Sequence, residues 1–177
     1  KGESGGSIIV EGNIIHQAGA AKLDASGSAG GGTILIGGDY QGKNTAIHNS
    51  SYNSVDKGVT INVDAIDDGD GGKAILWSDK NTYFNGTITA KGGALSGNGG
   101  NVEVSGKDYL GFRGHVDTTA QNGNAGILLL DPADIVVQAG TGDGAADGTN
   151  TFKGVATAGT VAAVDAGPST IYESELQ

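Results

Sequence analysis

Cysteine and methionine are absent from the 177 residues, and proline occurs only twice. Without cysteine, the chain can hold no disulfide scaffold, no thiolate metal site and no cysteine nucleophile. Without methionine, the sequence shows no initiator residue, so we expect a processed product or a piece of a longer chain. No apolar run reaches the roughly 18 residues that a membrane-spanning helix needs, so membrane insertion is not expected.

Positive charge is also scarce. Ten Lys and Arg residues face twenty Asp and Glu residues, which gives a formal net charge of −10. Arg113 is the only arginine, and residues 115–177 contain one lysine against eight acids. Because phosphate groups repel such a surface, we expect no nucleic-acid binding and no attraction to an anionic membrane.

Glycine, in contrast, is abundant at 34 residues, and glycine pairs recur along the chain. Each pair opens a short apolar alternation, and the starting points are separated by 26, 40, 28 and 26 residues. The pairs are Gly5-Gly6, Gly31-Gly32, Gly71-Gly72 and Gly99-Gly100, with Ala125-Gly126 in the fifth position. A period of this length with two or three short strands is typical of one coil of a parallel β-solenoid. The pattern therefore predicts an all-β solenoid of about six to seven coils; the alternative is a β-sandwich built from hairpins.

Stacked coils place equivalent residues in columns. Phe84 aligns with Phe112 at an offset of 28 residues, so we expect these two rings to lie within about 10 Å of each other. The alternation predicts two inward ladders, which are Ile8, Ile34, Ala74, Val102 and Leu128, and Val10, Ile36, Leu76, Val104 and Leu130.

The repeats divide the chain unevenly. Residues 1–137 are predicted to form coils with repeats of 26–28 residues, with a polar loop excursion at 43–58 in the long unit. Residues 138–177 read as a less regular acidic continuation that leads into further repeats. A short helix beginning at Pro168 is one possibility for the final residues.

Four runs carry a resemblance to a known family. They are Gly-Gly-Asp-Tyr-Gln-Gly (37–42), Asp-Gly-Gly-Lys-Ala-Ile-Leu-Trp-Ser-Asp (70–79), Gly-Asn-Gly-Gly-Asn-Val-Glu-Val-Ser-Gly-Lys (97–107) and Gly-Ile-Leu-Leu-Leu-Asp-Pro-Ala-Asp-Ile (126–135). In order and spacing they resemble the filamentous haemagglutinin family of bacterial surface exoproteins. The resemblance implies a right-handed parallel β-helix and two-partner secretion, in which an outer-membrane transporter passes the chain outward. We interpret the sequence as a repeat-region segment without the family's N-terminal secretion domain or a C-terminal toxin.

The resemblance implies a structural role. The expected function is a segment of a secreted, cell-surface fibre or adhesin that mediates attachment or biofilm contact, without catalysis and without a cofactor. Its expected partners are the transporter during export, an unidentified receptor on a host or bacterial surface, and further copies of the chain in fibres. The alternatives are a stalk for contact-dependent toxin delivery and a polysaccharide-active β-helix enzyme. Arg113 and the histidines His16, His48 and His115 lack a recognisable catalytic spacing and are predicted to lie on the surface.

Three sets of residues are candidate sites. Asp64, Asp67, Asp68 and Asp70 form the densest acidic run and are weak calcium candidates, with solvated turn aspartates as the favoured interpretation. Asn49 and Asn85 head Asn-x-Ser/Thr sequons and are possible glycosylation sites.

The third set is the outward column between the two inward ladders. It contains Ile9, Leu35, Ile75, Glu103 and Leu129, which is unusually apolar for an outer surface. We expect this column to be covered by the chain's own excursion, through Ile47, Tyr52 and Val55, or by the segment after Val137. Lateral contact with another chain and simple exposure are the two alternatives.

Overall fold

The structure, a computed structural model, describes residues 3–138 and 169–172. The described residues form fifteen short β-strands and one 3-10 turn, at Tyr40–Gly42. The strands are β1 (Ser7–Val10), β2 (Ile14–Gln17), β3 (Lys22–Asp24), β4 (Thr33–Ile36), β5 (Tyr52–Val55), β6 (Thr60–Asn62), β7 (Lys73–Ser78), β8 (Asn81–Phe84), β9 (Thr87–Thr89), β10 (Asn101–Gly106), β11 (Tyr109–Phe112), β12 (His115–Asp117), β13 (Ile127–Leu129), β14 (Ile135–Gln138) and β15 (Ser169–Tyr172). No helix among these residues is long and apolar enough to cross a membrane.

Thirteen of these strands stack into three parallel sheets, to which successive turns of the chain add one strand each, and β14 and β15 form a separate two-stranded parallel sheet. The first sheet has the order β1-β4-β7-β10-β13, the second β2-β5-β8-β11 and the third β3-β6-β9-β12. All of these neighbours pair in parallel, which antiparallel hairpins cannot do. The predicted parallel β-solenoid is therefore confirmed, and the sandwich alternative is excluded.

The number of coils is smaller than predicted. The described residues complete about four turns, because the first sheet contains five strands and the other two contain four each. The estimate of six to seven coils divided the whole chain by the short repeat, whereas one unit spans 40 residues. Most of the predicted continuation at 138–177 lies outside the described residues.

The core is built from the two predicted ladders. Ile34, Leu76 and Val104 are fully buried, and the register pairs Val10 with Ile36, Ile36 with Leu76, and Leu76 with Val104. Phe84 pairs with Phe112 and their ring centroids lie 5.4 Å apart, well within the expected distance. The core is thus a narrow interior that runs the length of the stack.

The glycine pairs are required by the close approach of successive turns. A Cβ atom added to Gly32 would lie 2.1 Å from the carbonyl oxygen of Gly6, and one added to Gly72 would lie 2.1 Å from that of Gly32. Real Cβ atoms do not approach backbone this closely, so a side chain at either position would force the turns apart. The backbone hydrogen bond from Thr33 N–H to Gly6 C=O, at 2.9 Å, holds this corner together.

The loop excursion lies upstream of its predicted bounds. The predicted range 43–58 contains strand β5, which pairs with β2 on one side and β8 on the other. The additional residues connect β4 to β5 and occupy 37–51; we call this segment the strap. At the other end of the chain, Ser169–Tyr172 is a strand that pairs in parallel with β14, so the alternative of a helix there is wrong.

Candidate functional site

The outer face of the first sheet holds the apolar column singled out in the sequence, and most of that column is covered. Leu35 is 5% exposed and Ile75 is 1% exposed, while Leu129 is half-buried. Ile9, in the first turn, is 48% exposed. The covered part of the column is therefore its centre, and the exposed part is its beginning.

The strap provides the cover. Ile47 packs against a small buried cluster of Leu35, Ile75 and Trp77 that is separate from the solenoid interior. A Cβ atom at Gly42 would lie 2.5 Å from Trp77 Nε1, so only glycine lets the strap approach the indole. Val55, expected to help with this cover, belongs instead to strand β5 and is buried in the main core.

The strap is fastened to the third turn by side-chain bonds. Lys73 Nζ lies 2.7 Å from Asp39 Oδ1, and Asn49 Nδ2 donates to Asp79 Oδ1 at 3.1 Å. Ser50 Oγ donates to the carbonyl oxygen of Trp77 at 2.8 Å. Burial alone would raise the pKa of Asp39, but hydrogen bonds from Lys73, Asn44 and the Tyr40 N–H outweigh it and lower the pKa to about 2. Asp39 is therefore an ionised anchor at neutral pH.

Gln41 extends the strap over the later turns. Its backbone N–H donates to Glu103 Oε2 at 3.0 Å, and its side-chain Nε2 donates to Asp131 Oδ2 at 3.0 Å. Gln41 has φ of 54° and is the one non-glycine residue with positive φ in the described part of the chain. This left-handed conformation costs free energy in a residue with a Cβ, and the two hydrogen bonds hold it in place.

Glu103 is the exception in the apolar column. Its side chain is 1% exposed, and its Oε1 atom is buried without a hydrogen bond. Burial raises the pKa of Glu103, and the negative charges of Asp131 and Asp39 raise it further. Hydrogen bonds from the Gln41 N–H and the Ser105 hydroxyl oppose this rise. A carboxylate at this position is thus electrostatically costly, and it serves to hold the strap backbone.

A groove of about 560 Å³ runs beside the strap. Its polar lining includes Lys43, Lys107, Asp79 and Asp131, and the residues Pro132 and Ala133 close its far side. Both carboxylates already accept hydrogen bonds, Asp79 from Trp77 Nε1 at 3.0 Å and Asp131 from Gln41. The groove can accommodate a polar ligand, but its acidic groups are occupied in holding the strap.

The calcium candidates do not converge on one point. Asp64 Oδ1 accepts from the Lys91 N–H at 2.7 Å, and Asp70 Oδ1 accepts from the Asn98 N–H at 2.7 Å. Asp68 accepts from the Ser96 hydroxyl, and Asp67 is exposed. Within residues 3–138, no three His, Asp or Glu side chains gather as a metal site would require. The acidic run instead ties its corner to the corner of the next turn.

The two sequon asparagines have different surroundings. Asn49 Nδ2, the atom that a glycan would modify, donates to the Gly42 carbonyl oxygen at 3.0 Å and to Asp79. Glycosylation of Asn49 would replace one of the two Nδ2 hydrogens and would therefore remove at least one of the two bonds that hold the strap. Asn85 is half-buried at the corner between β8 and β9, where its N–H donates to the Val55 carbonyl oxygen at 3.0 Å.

One of the histidines has an acid partner that sequence spacing did not indicate. His16 Nε2 lies 2.9 Å from Asp56 Oδ1, although the two residues are 40 positions apart. Burial raises the pKa of Asp56, but hydrogen bonds from His16 and the Gly19 N–H lower it overall. Arg113 is half-buried and donates from Nη1 to the Phe112 carbonyl oxygen at 2.8 Å. The His16 contact joins the first turn to the second, whereas this Arg113 contact lies between neighbours in the sequence.

Comparison with solved structures shows a similarity in both sequence and fold. The chain is similar to the crystal structure of the HMW1 secretion domain from Haemophilus influenzae, with 33% sequence identity and a TM-score of 0.59. The match covers 72% of this chain and 32% of that structure, so the chain spans about a third of its length. No family model matches the chain. No curated protein matches it either.

The repeat-region interpretation stays a prediction. The matched structure is a secretion domain, and this chain spans only about a third of it. A period of 26–28 residues is typical of solenoid coils in general and does not by itself distinguish a secretion domain from a repeat region.

Sequence reasoning expected an excursion that covers the outer column through Ile47, as the structure shows, but it missed where the strap begins and how it is fastened. The signal for this start was present in the run Gly-Gly-Asp-Tyr-Gln-Gly at 37–42, which contains three glycines in positive φ, at Gly37, Gly38 and Gly42. A second signal was Glu103, a charged residue at a position where the other four turns carry aliphatic side chains.

Proposed function

We propose that this chain is a structural segment of an exported bacterial fibre or adhesin that reaches the cell surface by two-partner secretion. The observation that carries the proposal is its 33% identity to a secretion domain over 72% of the chain, in the same parallel solenoid architecture. A chain of short turns with little regular structure between them suits threading through an outer-membrane pore, because no disulfide or large prefolded domain has to pass.

Export is tested by reconstituting it. The chain, preceded by a cleavable signal peptide, is expressed in a bacterial host with and without a two-partner outer-membrane transporter, and the culture medium is assayed by immunoblot. We expect release that depends on the transporter. A matched control replaces Gly32 with valine, which blocks turn stacking while leaving the length and charge of the chain unchanged. Equal release without the transporter, or retention in the periplasm with it, would contradict the proposal.

Attachment is the finer part of the proposal. The whole chain carries a formal net charge of −10, which suits contact with a receptor of opposite charge. Microspheres coated with the purified chain are expected to bind cells or biofilm matrix more than microspheres coated with an unrelated acidic protein. Binding that is equal for the two coatings would remove attachment from the proposal.

Only a small part of the outer column is available for self-association into fibres. Leu35 and Ile75 lie under the strap, so lateral contact through this column would rely on Ile9 and Leu129. We expect the replacement Ile9→Ser to lower the average mass seen by light scattering at high protein concentration, if the column is used. An unchanged mass would place any self-association elsewhere.

We also propose that the segment has no catalytic role. This is supported by the engagement of Asp79 and Asp131 in hydrogen bonds that hold the strap, which leaves the groove without a pair of carboxylates at a free reaction centre. Incubation with polyuronates and neutral polysaccharides is expected to yield no new reducing ends and no unsaturated products. Turnover that is lost in Asp131→Asn would overturn this part of the proposal.

A further inference from the structure

The strap belongs to the second turn of the chain. Its ends bond to the first turn, where the His48 N–H donates to Glu11 Oε1 at 2.6 Å and the Ser51 N–H donates to the Asn13 carbonyl oxygen at 2.8 Å, but its other partners come later in the sequence. Asp39 pairs with Lys73, which is 34 residues further along, and Asn49 pairs with Asp79, which is 30 residues further along. Gln41 reaches Glu103 at a separation of 62 residues and Asp131 at a separation of 90 residues. The strap therefore binds to the third and fourth turns and to the residues that follow β13.

We infer that the strap is a latch that closes last during folding, after the turns that it crosses have stacked. No single turn provides its binding surface. Lys73, Glu103 and Asp131 reach their positions only when β7, β10 and β13 are in register. The entropic cost of bringing chain ends together rises slowly with their separation, so the contact at 90 residues is about sixfold less accessible to an unfolded chain than the pairing of adjacent turns.

The strained backbone of the strap supports the same order. Gln41 adopts a left-handed conformation whose cost is offset by bonds to Glu103 and Asp131. Local turn bonds, from the Gly42 N–H to the Asp39 carbonyl oxygen at 2.8 Å and from the Lys43 N–H to the Tyr40 carbonyl oxygen at 3.2 Å, also favour this conformation, and the bonds to Glu103 and Asp131 add to them only when those acceptors are in place. The carboxylate of Glu103 constrains the order of events in the same way. If it were buried before the Gln41 N–H reached it, it would lose its hydration without gaining that hydrogen bond, so its burial and this bond are expected to form together.

The chain contains its own reporter for this step. Trp77 is the single tryptophan, it is 5% exposed, and it lies against Gly38 and Gly42 of the strap. Its fluorescence therefore reports strap closure. Far-ultraviolet circular dichroism reports the formation of the stacked strands, and the strap contains no strand.

The experiment is stopped-flow refolding from urea with both signals on the full chain. We expect the dichroism signal to appear first and the Trp77 signal to follow in a slower phase. The two prolines, Pro132 and Pro168, can add a phase of tens of seconds, which is identified by its acceleration with a prolyl isomerase.

Variants separate the latch from the coils. Asp39→Asn and Asp131→Asn each weaken one strap contact, and we expect them to raise the unfolding rate about fivefold while leaving the dichroism phase of folding unchanged. Val104→Ala, in the inward ladder, is the matched control and should slow the dichroism phase. Coincident dichroism and Trp77 phases in the parent, or strap variants that slow the dichroism phase as Val104→Ala does, would show that the strap forms with the coils and would overturn the inference.

Discussion

Replacing Glu103 with glutamine is expected to stabilise the protein at neutral pH. The parent side chain is 1% exposed and faces the negative charges of Asp131 and Asp39, while its Oε2 atom accepts one N–H bond from Gln41. Glutamine keeps the shape and an acceptor oxygen for that N–H, and its amide group can donate toward Asp131. Losing the charge-assisted character of the bond costs about 1 kcal/mol, and removing a buried charge that faces other carboxylates regains about 2 kcal/mol.

The net gain is thus about 1 kcal/mol, or a rise in melting temperature of about 2–4 °C for a domain of this size. Its pH dependence follows from the direction of the pKa shift. The pKa of Glu103 is raised above the ordinary value of 4.5, so the folded state binds its proton more tightly than the unfolded state does. The parent therefore loses stability as the pH rises from 4.5 through the folded-state pKa. The advantage of the variant should be absent below this window and complete above it.

The assay is urea unfolding of the parent and Glu103→Gln at pH 4 and pH 7.5, followed by Trp77 fluorescence. Two controls separate the causes. Glu3→Gln changes the net charge at an exposed residue, and we expect no comparable gain from it. Glu103→Leu restores the aliphatic column but leaves the Gln41 N–H without its acceptor, so it should be less stable than the glutamine variant by about 1 kcal/mol. A Glu103→Gln protein that is destabilised at pH 7.5, or that gains equally at both pH values, would refute the reasoning.

Three further outcomes are expected. Val104→Asp should lose several kcal/mol of stability, enough to prevent cooperative folding, because it places an unpaired carboxylate between Leu76 and the next turn; a thermal melt by circular dichroism that matches the parent would show that Val104 faces outward. Asp39→Asn should cost about 1 kcal/mol of stability at pH 7. The pKa of Asp39 is lowered from 3.8 to about 2, so the stability that its charge provides is present above pH 3.8 and is lost as the pH falls from 3.8 toward 2. A cost that persists unchanged at pH 2 would contradict the Lys73 pairing as its source. Phe84→Leu and Phe112→Leu, combined in a double-mutant cycle of urea melts, should show a coupling of about 0.5–1.5 kcal/mol from the ring contact; additive effects would mean that the two rings do not interact.

The stacking of the turns could be predicted from the sequence, but the path of the long unit could not. Glycine pairs and aliphatic ladders repeat in every turn, so Phe84 and Phe112 could be placed in register from spacing alone. Strand β5 was hidden because two of its three buried residues are polar. Asn53 and Ser54 are buried, and they are accommodated by donating to the carbonyl oxygens of Ile36 and Ile15 at 3.1 and 3.4 Å. Such compensation depends on neighbouring turns and leaves no local hydrophobic pattern.

The bounds of the strap and the contacts of the acidic corner were missed for a related reason, since both depend on bonds across turns. Asp68 and Asp70 each bond to a residue 28 positions later, which a local comparison with calcium loops cannot reveal. The Asx turns at the corners after β3, β6 and β12, in contrast, have a local sequence signal. Each has a bond of 2.9 Å from residue i to residue i+2, and the three motifs are Asp24-x-Ser26, Asn62-x-Asp64 and Asp117-x-Thr119. Reading the sequence turn against turn would have found them.

The strap also changes how the solenoid would respond to a pulling force. In a parallel solenoid the hydrogen bonds between turns run along the long axis, so tension along that axis loads them directly and can detach one turn at a time. The bonds from Asp39, Asn49 and Gln41 span several turns and run beside those backbone bonds. Tension that separates the second turn from the fourth must break backbone and strap bonds together. The strapped region is therefore the mechanically reinforced part of the stack, while the turns beyond it would yield at lower force.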